Sequence, residues 1–105
     1  MLNSVSKRFQ ATGTGTLTVV APGAGKYNCI KSIAGHSTAT ATIAICSPST
    51  TTVIWAVGVG SRIVTGGINQ SFPEGAEVRG VENKPIYVKC TAGTYRLSAT
   101  GIITG

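Results

Sequence analysis

Apolar and polar residues alternate along several short stretches of this chain. The alternation is clearest from residue 38 to residue 46, where Ala39, Ala41, Ile43 and Ile45 fall on one face and threonines fall on the other. A repeat of two residues is typical of a β-strand that buries one face, because successive side chains point to opposite sides of the sheet. The pattern therefore predicts a half-buried strand over residues 38–46.

The same criteria predict about seven to nine short strands, with turns every ~8–12 residues. Clusters of Gly, Pro and Ser separate them, and no amphipathic helix of about ten residues can be placed anywhere. We therefore expect an all-β fold, an antiparallel β-sandwich or a barrel. The predicted strands span residues 14–20, 27–34, 38–46, 52–59, 62–65, 68–72, 76–81, 86–91 and 94–104.

Residues 1–10 differ from the rest of the chain. They are mostly polar, and they lack the capping residues and the length that a stable helix needs. Terminal segments of this kind stay loose unless another part of the protein holds them. We therefore predict a short extended N-terminal arm over residues 1–10 and a single β-sandwich domain over residues 11–105.

Charge is sparse and unevenly distributed. Charged residues form 11% of the chain, the net charge is +6, and the three acidic residues all lie between Glu74 and Glu82. Ordinary soluble domains contain roughly 25% charged residues, so part of the surface is expected to contact other protein. The positive charge suits an acidic partner, but the bases are scattered along the sequence, which makes nucleic acid the less favoured one.

The sequence offers little catalytic or metal-binding chemistry. His36 is the one histidine and is expected in an exposed Gly-His-Ser turn, and the three acidic residues surround a second turn. Cys29, Cys46 and Cys90 have no metal-site spacing and stand among apolar residues, which favours burial. The chain is therefore predicted not to be an enzyme, and neither a catalytic residue, nor a cofactor, nor a metal site is assigned.

No membrane or secretory segment is expected. Residues 1–10 contain no apolar stretch of the kind found in a signal peptide, and no apolar run reaches the ~20 residues of a membrane helix. We expect synthesis in a reducing cytoplasm and no membrane partner.

The order of features resembles that of small jelly-roll virion proteins of tailed bacteriophages. An N-terminal arm precedes "TGTLTVVAPGAGKYNCIKSIAGHSTATATIAI", a turn follows at "FPEGAEVRG", and the chain closes with "KPIYVKCTAGTYRLSATGIIT". This arrangement is similar to that of head decoration (cement) proteins and covers the chain from about Ala11 to Gly105. It is also similar to that of short β-sandwich tail or fibre proteins.

The resemblance implies a structural role in the virion. Decoration proteins are typically homotrimers on the outer capsid surface that clamp neighbouring copies of the major capsid protein. A phage tail or fibre receptor-binding β-sandwich is the alternative, and a basic nucleic-acid-binding β-barrel is a further one. If the resemblance holds, we expect these residues to contact the capsid: Val5, Lys7, Arg8, Phe9, Arg62 and Arg79. No family motif maps onto the last two.

Overall fold

A computed structural model describes residues 7–59, 68–73 and 75–105. It contains nine β-strands within these residues, arranged in two antiparallel sheets. The strands are β1 (Lys7–Gly13), β2 (Leu17–Val19), β3 (Tyr27–Ser37), β4 (Ala41–Cys46), β5 (Val53–Val59), β6 (Ile68–Ser71), β7 (Val78–Arg79), β8 (Ile86–Cys90) and β9 (Tyr95–Thr104). No helix in the described ranges is long and apolar enough to cross a membrane.

The strand order is that of a jelly roll. Sheet A has the order β1-β9-β3-β6, with β7 also paired to β3, and sheet B has the order β2-β8-β4-β5. The chain therefore passes repeatedly from one sheet to the other, which is how two Greek keys form a jelly roll. This confirms the predicted all-β, antiparallel, jelly-roll-like sandwich.

The core lies between the sheets and consists mainly of branched aliphatic side chains. Ile30, Ile33, Leu97 and Ala99 point inward from sheet A; sheet B contributes Ile43, Ile45, Ile86 and Val88, and all eight are at most 1% exposed. Branched side chains suit the pleated surface of a sheet and pack densely against the opposite layer. Trp55 packs edge-on against Phe72, with ring centroids 5.2 Å apart, beside this core.

Strand β3 contains a β-bulge at Lys31. Ile30 pairs with Gly101 and Ser32 pairs with Thr100, so Lys31 is an extra residue between them. In a regular strand, side chains three positions apart point to opposite faces. Because Lys31 is an extra residue, the Ile33 side chain points to the same face as the Ile30 side chain. Both isoleucines can therefore point into the core, although their spacing does not match a regular strand.

The sandwich begins earlier in the sequence than predicted, within the segment that was expected to be an arm. Lys7–Gln10 belong to β1 and pair with β9, so the sandwich begins at Lys7 instead of Ala11 among the described residues. Phe9 and Ala11 both pack against the core, and the alternation therefore continues through the expected boundary. Residues 1–6 lie outside the described ranges.

Two predicted turns also differ from the structure. Gly35-His36-Ser37 continues β3, where it pairs with the first residues of β9. The small residues Ala92-Gly93 favour a tight hairpin between the strands that flank them, but they join β8 in sheet B to β9 in sheet A, so this link is a crossing between the sheets. Local residue types indicated the turn at Gly93 but carried no information about which sheet each strand joins.

Candidate interaction surfaces

The three arginines that the structure describes all lie on the outer face of sheet A. Arg8 pairs with Ile102, Ile102 with Cys29, and Cys29 with Arg79, so one row across the sheet has an arginine at each end. Neighbouring strands are about 4.8 Å apart, which places the two arginine backbones roughly 14 Å from each other. Arg96 lies on the same face because it alternates with the buried Leu97.

Between Arg8 and Arg79 the outer face of sheet A carries the apolar residues Ile102 and Cys29, and the next row consists of uncharged polar residues. Gln10, Thr100, Ser32 and Ser71 form a continuous row across four strands, and the Ser32 and Thr100 hydroxyls share a hydrogen bond. We call the outer face of sheet A, from Arg8 to Arg79 and Arg96, the basic face. It combines hydroxyl and amide groups with guanidinium groups, and this composition suits a polar, acidic partner.

An open depression of about 910 Å³ lies on sheet A at the bulge of β3. Basic, hydroxyl and aromatic groups meet there, because the strand pairing brings residues from β1, β3, β6 and β9 together. Its lining consists of Arg8, Phe9, Gln10, Lys31, Ser32, Ser71, Phe72, Thr100, Gly101 and Ile102.

Two local contacts hold basic side chains in place near this depression. The Arg79 guanidinium lies 3.7 Å from the centre of the Tyr27 ring, a cation–π contact. Lys31 Nζ lies 3.7 Å from Glu77 Oε2. Hydrogen bonds from the N–H groups of Glu77 itself and of Gly75, together with the charge of Lys31, lower the pKa of Glu77. The Lys31 charge is thus partly balanced by a carboxylate, whereas the Arg79 contact is with an uncharged ring.

The sequence-predicted contact residues are only partly brought together. Arg8 and Arg79 lie in one row of the basic face although 71 positions separate them, and Phe9 lines the depression. Lys7 lies at the end of β1, and Val5 and Arg62 lie outside the described residues. Arg96 was not singled out as a contact residue, although its alternation with the apolar Leu97 is enough to place it on the outward face of the last strand.

The outer face of sheet B differs from that of sheet A, because most of its residues on β4 and β5 are small or apolar. Cys46 pairs with Tyr87 and Val53, and Ala44 pairs with Lys89 and Ala56. Ala44 and Cys46 are 2% and 0% exposed, so β4 is buried on both faces and not half-buried as predicted. Burial raises the pKa of the Cys46 thiol, and the nearby Lys89 charge reduces this rise.

Strand β5 forms one edge of sheet B. In the part of the chain that the structure describes, it pairs with β4 on one side and with no strand on the other. Val53 and Ile54 are 52% and 38% exposed. The strand contains no charged residue and no proline, the two residue types that most often protect a free edge.

The turn at Pro22–Lys26, which superficially resembles a phosphate-binding loop, is occupied by the chain's own polar groups. The Gly25 N–H donates to Glu82 Oε2 at 2.7 Å, and the Gly23 N–H donates to Asn83 Oδ1 at 3.0 Å. A carboxylate of the protein therefore takes the place that an anion would occupy. This contact fastens the turn before β3 to the turn before β8.

A buried serine holds one end of the sandwich together. Ser47 is 1% exposed; its hydroxyl donates to the Pro85 carbonyl at 2.9 Å and accepts from the Val81 N–H at 3.0 Å. These bonds connect the end of β4 to the segment between β7 and β8.

Replacing Ser47 by alanine removes both bonds and leaves the Val81 N–H without this acceptor. We expect the free energy of unfolding to fall by about 1–3 kcal/mol, measured by chemical denaturation. Ser49→Ala is the matched control: the Ser49 hydroxyl bonds to neighbouring groups of the same exposed turn, where water can replace it, so the expected change is within about 0.5 kcal/mol. Equal effects of the two variants would contradict the structural role of Ser47.

Within the described residues, no group of three or more His, Cys, Asp or Glu side chains lies close enough together to hold a metal ion. Cys29, Cys46 and Cys90 are buried free thiols. His36 was predicted in an exposed turn, but it is partly buried in β3 opposite Arg96, and its Nδ1 is buried without a hydrogen-bond partner among the described residues.

Comparison with known proteins gives little further information. No protein-family model matches the sequence, and no curated protein matches it. The fold is similar to that of a chain in the cryo-EM structure of the virus-like particle of extra small virus from the giant freshwater prawn Macrobrachium rosenbergii. The two chains are 11% identical, the match covers 99% of this chain and 80% of that chain, and the TM-score is 0.46. The strand order of this chain is sufficient by itself to identify the jelly roll.

Proposed function

We propose that this chain is a structural virion protein that decorates a phage capsid, binding the outer surface of the major capsid protein through the basic face of sheet A. The observation that carries the proposal is the collection of Arg8, Arg79 and Arg96 on one sheet face, although they are far apart in the sequence. A fold supports many functions, so the proposal rests on this surface more than on the jelly roll.

The chemistry of the basic face suits an acidic protein surface. Guanidinium groups bind carboxylates through paired hydrogen bonds, and the hydroxyl row between them supplies further donors and acceptors. Charge complementarity of this kind directs association and fixes orientation. A protein that binds only the assembled shell stabilises the shell by mass action, and this requires no catalytic group. The proposal therefore gives the chain no enzymatic role and locates it on the virion.

The test uses capsids of the virus that encodes this chain, lacking the chain, with binding measured by cosedimentation at increasing protein concentration. Arg8→Ala and Arg79→Ala are each expected to weaken binding about tenfold, which corresponds to about 1.4 kcal/mol. Lys84→Ala, in the exposed turn before β8, and Lys89→Ala, on β8 of sheet B, remove the same charge away from sheet A, and they should change affinity by less than about threefold. The bound chain should also raise the temperature at which the capsids break open.

Equal losses in all four variants would show that net charge alone drives binding, and the basic face would not be the contact surface. Absence of binding to the capsids by the unmodified chain would overturn the proposal itself.

Nucleic-acid binding is a second candidate, favoured by one specific feature. Phe9 and Phe72 line the same depression as Arg8 and Lys31, and surfaces that bind single strands combine aromatic rings with basic groups. A fluorescent oligothymidylate distinguishes the two functions by anisotropy. Binding that weakens steeply with salt and is lost in Arg8→Ala would favour nucleic acid over an acidic protein. Trp55 packs beside the core and, unlike Phe9 and Phe72, does not line the depression, which weighs against the receptor-binding alternative.

A further inference from the structure

We propose that Tyr27 is a positioning residue for the proposed capsid contact: its ring holds the Arg79 guanidinium in an orientation that is ready to bind a carboxylate of the partner. This rests on the proposed function, because it concerns how one arginine of the basic face meets an acidic surface. Tyr27 thereby joins the residues that set the affinity of the basic face, and it acts through Arg79.

The pairing of β3 with β7 brings the two residues together. Arg79 pairs with Cys29, and Tyr27 lies two positions before Cys29 in β3, so all three side chains lie on the outer face of sheet A. Diagonal neighbours on adjacent antiparallel strands are about 7–8 Å apart, within reach of an aromatic ring and a long side chain. The contact therefore depends on the strand register, and a shift of one position would remove it.

The contact uses the face of the guanidinium group. Arg79 Cζ lies 3.7 Å from the centre of the Tyr27 ring. Carbon atoms in van der Waals contact are about 3.5–4.0 Å apart, so no atom lies between the guanidinium carbon and the ring. An N–H group that pointed at the ring would place its nitrogen there. The N–H groups lie in the guanidinium plane, so contact through the face leaves them available for paired hydrogen bonds to a carboxylate.

The ring also restricts a side chain that is otherwise weakly held. Strand β7 has two residues, and the Arg79 side chain is exposed. A long side chain loses rotamer freedom when it is fixed in one geometry on binding. The Tyr27 ring removes part of that freedom in the free protein, and preorganisation of this kind strengthens binding because less ordering is left for the association step.

The acidic residues nearest to Arg79 in the sequence are engaged with other groups. Glu77 Oε2 lies 3.7 Å from Lys31 Nζ. Glu82 Oε2 accepts a hydrogen bond from the Gly25 N–H at 2.7 Å. An internal carboxylate would occupy the same N–H groups that the partner needs, whereas an aromatic ring orients the guanidinium and leaves its charge in place.

NMR of the free chain tests the positioning without a partner. The ring current of Tyr27 should shift the Arg79 Hε resonance upfield, and Tyr27→Leu should abolish this shift and increase the motion of the Arg79 Nε–H bond. Tyr27→Phe retains a ring and should retain both properties. Tyr87→Leu is the matched control, because Tyr87 is also half-buried but lies on the outer face of sheet B. Unchanged Arg79 resonances in Tyr27→Leu would overturn the inference.

Cosedimentation with capsids that lack the chain tests the consequence for binding. Tyr27→Leu is expected to weaken binding about three- to fivefold, whereas Tyr27→Phe and Tyr87→Leu should stay within about 1.5-fold of the unmodified chain. In an Arg79→Ala background, Tyr27→Leu should cause no further loss, because the ring acts through Arg79.

Two binding results would contradict the positioning role. An equal loss from Tyr27→Leu with and without Arg79 would show that Tyr27 acts by another route, and a loss in Tyr27→Phe as large as that in Tyr27→Leu would show that the ring is not what matters. If the unmodified chain does not bind the capsids, the proposed function fails, and the NMR measurement on the free chain still decides whether Tyr27 positions Arg79.

Discussion

Gly101→Ala is expected to destabilise the protein by about 3 kcal/mol or more, because there is no room for a side chain at this position. A Cβ atom on Gly101 would lie 2.2 Å from the Cys29 carbonyl oxygen and 2.3 Å from the Phe9 ring. The first of these neighbours is backbone of the central strand β3, so it cannot move without disturbing the pairing of β3 with β9. The Phe9 ring covers Gly101 from the neighbouring strand β1 and would have to leave its place beside the core.

Urea denaturation measures this effect, and Gly15→Ala is its control. A Cβ atom on Gly15 meets nothing within 4 Å, and its backbone conformation is available to alanine. This variant should therefore be neutral, or slightly stabilising because alanine restricts the unfolded chain. A stability of Gly101→Ala close to that of Gly15→Ala would show that Phe9 does not pack over β9.

Gly93→Ala is expected to cause the second large loss, about 3 kcal/mol, for two separate reasons. Gly93 has a φ angle of 78°, a left-handed conformation that costs other residues about 1–2 kcal/mol. A Cβ atom there would also lie 2.5 Å from Ser37 Oγ and 2.9 Å from the Ala39 backbone nitrogen. The crossing from sheet B to sheet A is packed against the end of β3, and a side chain would push these segments apart.

Gly25→Ala separates the two contributions to this loss. Gly25 has a similar φ angle of 74°, but a Cβ atom there meets nothing within 4 Å. Its expected loss of about 1–2 kcal/mol is the conformational cost alone. The difference between the two variants, measured by urea denaturation, gives the cost of the close contact at Gly93. If this difference were zero, the crossing would not be packed against Ser37 as described.

Much of the fold could be predicted from local patterns. Apolar and polar residues alternate in β8 and β9, which by itself indicates the buried face, and Ile86, Val88, Leu97 and Ala99 do lie in the core. The predicted inward face of β4 also agrees for Ala41, Ile43 and Ile45. These predictions succeed because the side-chain period of a strand depends on its own backbone and needs no knowledge of its neighbours.

The errors occur where neighbouring strands determine the outcome. Lys7–Gln10 looked like a free arm because the segment is polar and terminal, yet pairing with β9 makes it a strand. His36 looked exposed because glycine and serine flank it, yet β9 extends β3 through these residues. Local residue preferences were overridden in both cases, because hydrogen bonds to a partner strand outweigh a weak tendency to form a turn.

The candidate contact surface shows the same division. Arg8 and Arg79 were singled out separately, and nothing in a one-dimensional chain indicates that they share a row with Ile102 and Cys29 between them. The positive residues therefore seemed scattered. The strand order gathers three arginines on one face and leaves the β5 edge uncharged, so sequence distance was a poor guide to charge clustering.

The sequence by itself determined that the chain is all-β and largely which face of each recognised strand is buried, since both follow from a two-residue repeat and from turn residues. The tertiary structure alone decided which strands are neighbours, where β3 bulges, which glycines cannot be replaced, and which charges share a surface. These properties depend on pairing between residues far apart in the chain, where a shift of one position moves every side chain to the opposite face.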